Sequence, residues 1–147
     1  MLSNTSKYGI RAVLYLAQNI KGEAKIGIKK ISEDLKIPTP FLGKILQTLA
    51  KNKILSSTKG PHGGFGLNKD PYELSLYDIV VTLDGDALFN DCLISIGDCA
   101  SHHSDAYYCP VHEKFSPIKE KLIEFFQGEK IGQLIDDIKT SGKKIRI

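Results

Sequence analysis

The chain has 147 residues, 41% of them hydrophobic, and a formal net charge of +3. That length fits one compact domain, or a small domain with an appended element, with enough apolar side chains to bury a core. No apolar run approaches the roughly 18 residues a membrane helix needs, and the opening Met1-Leu2-Ser3-Asn4-Thr5-Ser6-Lys7 carries no apolar secretory stretch, so a cytoplasmic protein is expected. The charge is unevenly placed: residues 1–70 hold 12 Lys/Arg against 4 Asp/Glu, and residues 71–147 hold 8 against 13. A basic first half beside an acidic second half points to a polyanionic partner for the first half.

The first periodic segment runs from about Thr5 to Asn19. Ile10, Val13, Leu14 and Ala17 follow the i, i+3, i+4, i+7 spacing of one helical face, with Arg11 and Gln18 off it. Lys21-Gly22 supplies the stop. A second short helix is expected over Ile28–Leu35, with Ile28, Ile31 and Leu35 on one side. In Lys36-Ile37-Pro38-Thr39-Pro40, Pro38 disfavours helical geometry at Ile37. Thr39 is a good N-cap, and Pro40 suits the first helical position. The third helix, Pro40 to about Asn52, turns Leu42, Ile45, Leu46 and Leu49 inward and leaves Lys44, Gln47, Thr48 and Lys51 outward. Two short helices joined by a tight turn, the second with a basic outer face, describe a helix-turn-helix over about 28–51; periodicity alone fits an ordinary helical hairpin equally well.

A β-hairpin follows. Ile54–Thr58 reads as a strand, Lys59-Gly60-Pro61-His62-Gly63-Gly64 as a turn-forming loop, and Phe65-Gly66-Leu67 as the return strand, so residues of about 54–68 form a wing. A glycine-rich tip carrying Lys59 and His62 can approach DNA backbone or a minor groove closely, because glycine has no side chain to hold it away. The Gly-x4-Gly-Lys-Ser/Thr spacing of a phosphate-cradling loop is missing, which excludes nucleotide binding of that kind. Asp70-Pro71 breaks the strand, and Leu76, Ile79, Val80 and Leu83 make a short helix ending at Asp84-Gly85.

From Asp86 to His112 no period holds, and all three cysteines of the chain fall here, as Cys92-x6-Cys99-x9-Cys109-x2-His112. Three thiolates and an imidazole make the four ligands that a zinc ion or one edge of an iron–sulfur cluster takes. A disulfide framework would want an even cysteine count and a secreted chain. His102, His103, Asp98 and Asp105 are rival ligands in the same stretch. Cys109 with His112 could form a nucleophile pair, but no oxyanion site or substrate-pocket motif accompanies it, so catalysis is not expected. Beyond the cysteines, Ser116-Pro117 caps a helix to about Gln127, with Ile118, Leu122 and Phe125 spaced 4 and 3 apart and Ile123 and Phe126 beside them. That stripe is too wide and aromatic for a solvated helix: either it packs on the N-terminal domain or it pairs with its twin in a homodimer. Ile131, Leu134, Ile135 and Ile138 form a last amphipathic helix before the basic tail Lys143-Lys144-Ile145-Arg146.

The expected fold is mainly α with a small β-hairpin wing. A winged helix-turn-helix domain covers 1–84, a cysteine-rich sensor loop 85–112, and a long dimerisation helix with a C-terminal helix 113–147.

Several of these features, in order, resemble the Rrf-type winged-helix regulators, a family with IscR-like and NsrR-like members. They are Ser6-Lys7-Tyr8-Gly9-Ile10-Arg11-Ala12 with Leu14 and Leu16-Ala17, Ile31-Ser32-Glu33, Phe41-Leu42, Leu55-Ser56-Ser57, Lys59-Gly60-Pro61-x-Gly63-Gly64-Phe65, the cysteine trio and the helix after it. The resemblance spans essentially the whole chain. It implies a cytoplasmic homodimer, paired through 116–127, that binds palindromic double-stranded operator DNA, with an iron–sulfur cluster in many members setting affinity. It maps the cluster cysteines onto Cys92, Cys99 and Cys109, and the IscR-type histidine onto His112. NsrR-like members take a carboxylate from near the partner's N-terminus, but the matching Ser6-Lys7-Tyr8 has none. Gly43 stands where IscR-like members carry a glutamate that shapes operator preference, so the operator cannot be borrowed. A 2Fe–2S cluster is favoured, with 4Fe–4S as the alternative cluster and structural zinc as the alternative metal. The expected DNA-contacting residues are Thr39, Lys44, Gln47, Thr48, Lys51, Ser57, Lys59 and His62.

Overall fold

The computed structural model describes residues 1–94, 96 and 109–143. Cys99, the rival ligands Asp98, His102, His103 and Asp105, and the tail from Lys144 lie outside the described residues. The elements run α1 (Asn4–Asn19), α2 (Ile28–Leu35), α3 (Thr39–Lys51), β1 (Leu55–Thr58), β2 (Gly64–Leu67), α4 (Leu76–Asp84), α5 (Ala87–Asn90), α6 (His112–Gly128) and α7 (Ile131–Ser141). The expected mostly helical fold with a two-stranded wing is the one observed.

α1 is the hub. Its apolar stripe faces the core: Ala12, Val13 and Leu16 have no exposed surface and pack with Ile31 of α2 and Leu42, Leu46 and Leu49 of α3, with Ile10 and Ala17 half buried at the edges. Gly9 lets α4 lie close, because a Cβ there would collide with the Leu83 side chain. Ser3 caps α1 by accepting from the Ser6 N–H, and its hydroxyl donates to Asp84 at the end of α4 at 2.6 Å, tying the two helices at one end. Ser75 and Asp78 form a reciprocal capping box at the start of α4.

Two polar clasps fix α2 against α1. Arg11 Nη2 donates to the Leu35 carbonyl at 2.9 Å, satisfying one of the bare carbonyls at the end of α2. The Tyr15 hydroxyl donates to the Asp34 carboxylate, which also accepts from Lys30. Burial, then the bond to Asp34, pushes the Tyr15 phenol up to about 12. The Tyr15 hydroxyl, then the Lys30 ammonium, holds Asp34 below its ordinary value. A phenol raised above its ordinary value of 10.0 stabilises the fold below that pH, and the contribution is lost as pH rises through about 12. Ultraviolet titration of the folded protein should therefore show a late-ionising tyrosine that disappears in Tyr15→Phe; superimposable titrations of the remaining tyrosines and the wild type would contradict the clasp. Asp136 also raises Tyr72, which stays in both proteins.

The helix-turn-helix turn differs from expectation at its cap. α3 begins at Thr39 rather than Pro40, with Pro38 as N-cap and no side-chain cap bond. Thr39 Oγ1 instead donates to Ser32 Oγ at 2.9 Å, and Ser32 Oγ donates to the Ile37 carbonyl at 2.6 Å. The hydroxyl pair stitches the turn from within, which serves the turn better than a cap facing solvent.

β1 and β2 pair antiparallel, Leu55 opposite Leu67 and Thr58 opposite Gly64. The return strand of the wing is docked on the segment before α2 by Ile26 and Phe65, which exchange both backbone hydrogen bonds at 2.9 Å. Gly64 sits at φ +154°, and a Cβ there would run into the Ile26 backbone, so the contact requires glycine.

Downstream, the structure corrects two expectations. Residues 87–90 of the aperiodic stretch form the four-residue helix α5, too short to show a period, and its Phe89 is completely buried against Phe126 and Val80. α6 starts at His112, not at Ser116-Pro117, and Pro117 lies inside it. The Phe115 N–H donates to the Val111 carbonyl at 2.8 Å, so the first turn closes before the proline is reached. α7 folds back onto α1: Ile131 and Ile135 join the main core, and Ile131 and Leu76 bond across to Leu74 and Glu129.

Candidate nucleic-acid interface and cysteine site

The packing of α3 sorts its side chains sharply. Leu42, Ile45, Leu46 and Leu49 are buried, which leaves Lys44, Gln47, Thr48 and Lys51 as an exposed strip along the opposite face. Thr48 Oγ1 donates to the Lys44 carbonyl at 2.9 Å, so its hydroxyl proton is held by the helix. Thr39 is half buried and engaged with Ser32. Gly43 is half buried too, and a Cβ at that position would come 3.2 Å from the Ile28 side chain. The glycine thus lets α2 pack tightly on the recognition helix. On the wing, Ser57, Lys59 and His62 are exposed, and the tip closes with the Gly63 N–H on the Gly60 carbonyl at 3.0 Å. A Cβ on Gly63 would strike the Thr58 carbonyl, so a tight tip needs glycine. An exposed basic helix face followed by a glycine-tipped wing carrying a lysine and a histidine is an arrangement suited to a phosphate backbone and the base edges between.

Two of the three cysteines are described, both half buried. Cys109 and His112 share the turn that starts α6, the His112 N–H donating to the Cys109 carbonyl at 3.2 Å. Ser116 Oγ lies 3.3 Å from His112 Nε2, a hydroxyl of the kind that orients a ligating imidazole from its far side. Cys92 lines a groove of about 640 Å³ together with Phe115, which is one helical turn beyond His112. Cys92 thus lies along the 115–125 stretch of α6, while Cys109 and His112 sit on its first turn. Among the described residues no three or more His, Cys, Asp or Glu side chains gather as a metal site, and Cys99 lies outside them. The donor chemistry of the set, three thiols and an imidazole, fits a soft metal centre.

The same groove, walled by Leu88, Ile118, Leu122 and Phe125, is strongly apolar. The stripe read from the sequence is split by the fold. Phe126 is 7% exposed and packs on Phe89, with Leu122 half buried beside it, whereas Ile118 and Phe125 are 61% and 54% exposed. Lys119, which the sequence did not single out, bonds the carbonyls of Asn90 and Asp91. Nothing local in sequence marks a lysine whose partners lie 28 and 29 residues away.

Recognition helix and wing, with an exposed basic strip on the helix, define a winged helix-turn-helix fold. The chain belongs to the Rrf2 family, described as an iron-dependent transcriptional regulator, whose profile matches residues 2–137. It is 35% identical over 137 residues to a protein of Aquifex aeolicus that carries the name of an HTH-type transcriptional regulator, covering 92% of each. It is 25% identical to the HTH-type transcriptional regulator IscR of Klebsiella pneumoniae, over 92% of this chain and 80% of that one. Among solved structures, T. potens IscR superposes with a TM-score of 0.76 at 21% identity, over 99% of this chain and 93% of that one, a likeness of fold. No helix among the described residues is long and apolar enough to cross a membrane.

Proposed function

We propose that the chain works as a cytoplasmic homodimer that represses transcription by binding palindromic duplex DNA, with its affinity set by an iron–sulfur cluster, 2Fe–2S rather than 4Fe–4S, or by the redox state of the same thiols. Lys44, Gln47, Thr48 and Lys51 enter the major groove from α3, with Thr39 and Ser57 at its flanks. Lys59 and His62 meet backbone or minor groove from the wing. Gln47 and the exposed Thr48 address base edges, since a glutamine can bond adenine bidentately and a threonine methyl can pack on thymine. The lysines add affinity that reads no sequence. The observation that carries the DNA-binding part is the exposed strip of α3 beside the wing, in a first half holding 12 cationic side chains against 4 anionic ones.

Cys92, Cys99, Cys109 and His112 would hold the cluster, for which the iron dependence of the family and the IscR relatives are support. When bound, it would supply an oxygen- and redox-sensitive crosslink between the cysteine segment and the head of α6. The chain's own part is to hold Cys109 and His112 on one turn and to orient the imidazole through Ser116. Affinity for a selected duplex should fall steeply with salt. Lys59→Ala should weaken binding about equally on all sequences and flatten the salt dependence by roughly one phosphate contact. Binding insensitive to salt, or a Lys59→Ala loss confined to one sequence, would contradict this reading. Donor sets of this kind also hold structural zinc, which would leave the purified protein colourless.

A further inference from the structure

One basic side chain stands apart from the DNA face and is fully engaged in an unusual place. Lys119 sits on α6 two turns after His112, and its Nζ donates to the backbone carbonyls of Asn90 at 3.1 Å and Asp91 at 2.8 Å. These are the last residue of α5 and its C-cap, and the next residue is Cys92. The ammonium also lies 5.7 Å from the centre of the Phe115 ring, within range of a cation–π contact. Charge-assisted bonds of this kind are about twice as strong as neutral ones, and two of them converge on one nitrogen. α5 is in turn held by Phe89, buried between Tyr77 and Phe126 at ring separations of 4.7 and 5.3 Å. The chain segment entering Cys92 is thus tied to α6 by Lys119 beside the Phe89–Phe126 contact. The neighbours of that side chain on α6 are Ile118, exposed toward the proposed partner subunit, and, one turn back, Phe115 in the groove that Cys92 lines.

We propose that Lys119 is the positioning residue that couples the cysteine site to the dimer helix. A change in the 92–112 segment, whether loss of a metal centre or oxidation of its thiols, moves the Asn90 and Asp91 carbonyls. Lys119 passes that displacement to α6 between its ligand-bearing head and its partner-facing side. In this scheme Lys119 acts through the Asn90 and Asp91 carbonyls. The inference rests on the function proposed above for its allosteric consequence, but the mechanical link stands independently and is tested separately.

The experiment compares wild type, Lys119→Met and Lys119→Arg as full-length protein. Methionine keeps the length and the apolar contact with Phe115 but cannot donate; arginine restores a cationic donor. In metal-stripped, reduced protein, amide hydrogen exchange is read at 87–92 and at 112–119. Lys119→Met should speed exchange about tenfold or more in both segments, and Lys119→Arg should bring both back. Unchanged exchange in either segment, or no recovery with arginine, overturns the inference. Next, affinity for a duplex selected by the wild-type dimer from a random library is measured with the iron–sulfur centre reconstituted and after its removal, without oxygen. A wild-type difference of fivefold or more should shrink to within twofold in Lys119→Met while the visible spectrum keeps its shape, and should return in Lys119→Arg. A difference that survives methionine overturns the coupling role. A wild type whose affinity ignores the centre overturns the proposed function instead, and the exchange data then still decide whether Lys119 links the two segments.

Discussion

Glutamate placed at Ile118 and Phe125 together is expected to split the protein into folded monomers. The two side chains are 61% and 54% exposed on one side of α6, while the helix is anchored to its own subunit by Phe126 on the other. Burying both against a second copy would remove apolar surface worth about 25 cal/mol per Å² from water, and a pair of carboxylates there would have to be desolvated without partners. Because the anchoring face is untouched, circular dichroism and the melting temperature should change little. Sedimentation should report the monomer mass. The effect on DNA should be larger than on stability: a palindromic duplex holds a dimer by two half-sites at high effective concentration, and losing the second should cost roughly 10²- to 10⁴-fold in apparent affinity. Leu122 is a poorer probe, since it is half buried against the Val80–Phe89–Phe126 cluster and a charge there would damage the fold itself. An unchanged dimer would mean that this apolar groove is covered by something other than a second copy.

The second large effect is expected at the thiols. Single Ala substitutions of Cys92, Cys99 or Cys109 should each abolish the visible absorbance of anaerobically reconstituted protein, because a cluster edge deprived of one thiolate has no replacement of equal softness. His112→Ala should alter or weaken the absorbance without erasing it. In the proposed ligand set the imidazole is the one donor that is not a thiolate, and Ser116 Oγ lies 3.3 Å from its Nε2, so Ser116→Ala should produce a milder form of the same change. Absorbance that survives any one of the three cysteine substitutions would remove that residue from the ligand set.

Local periodicity carried much of the fold. The apolar spacing of Ile10, Val13, Leu14 and Ala17, and of Leu42, Ile45, Leu46 and Leu49, reports helices that bury one face, and the structure buries or half buries all eight. Gly63 and Gly64 announced the wing tip, and the close approaches to Thr58 and Ile26 explain why glycine is needed there. What sequence order could not carry is non-local. Ser116-Pro117 looked like a helix start, yet Val111 and Phe115 close an earlier turn. α5 spans four residues, less than any period can register, and owes its place to Phe89 alone among its buried side chains. The apolar stripe of α6 was visible, but a period marks a face without saying what covers it: Phe126 turned to the subunit's own core and Phe125 turned out. The Arg11–Leu35 and Lys119–Asp91 bonds join residues 24 and 28 positions apart, which no local pattern announces. Of the site, the α3 strip and the Cys109–His112 turn were legible from spacing, while the approach of Cys92 to α6 depends on how α5 packs.

The most direct test is a pair of binding titrations on one preparation. Protein purified and reconstituted without oxygen is titrated onto a duplex selected by the protein itself, then bleached and titrated again, with its mass followed throughout. The account predicts a coloured dimer whose affinity changes within the roughly 5- to 150-fold range of allosteric coupling while the dimer persists. A colourless protein that takes up only zinc, or an affinity identical before and after bleaching, would contradict it and leave a DNA-binding regulator whose cysteines serve another end.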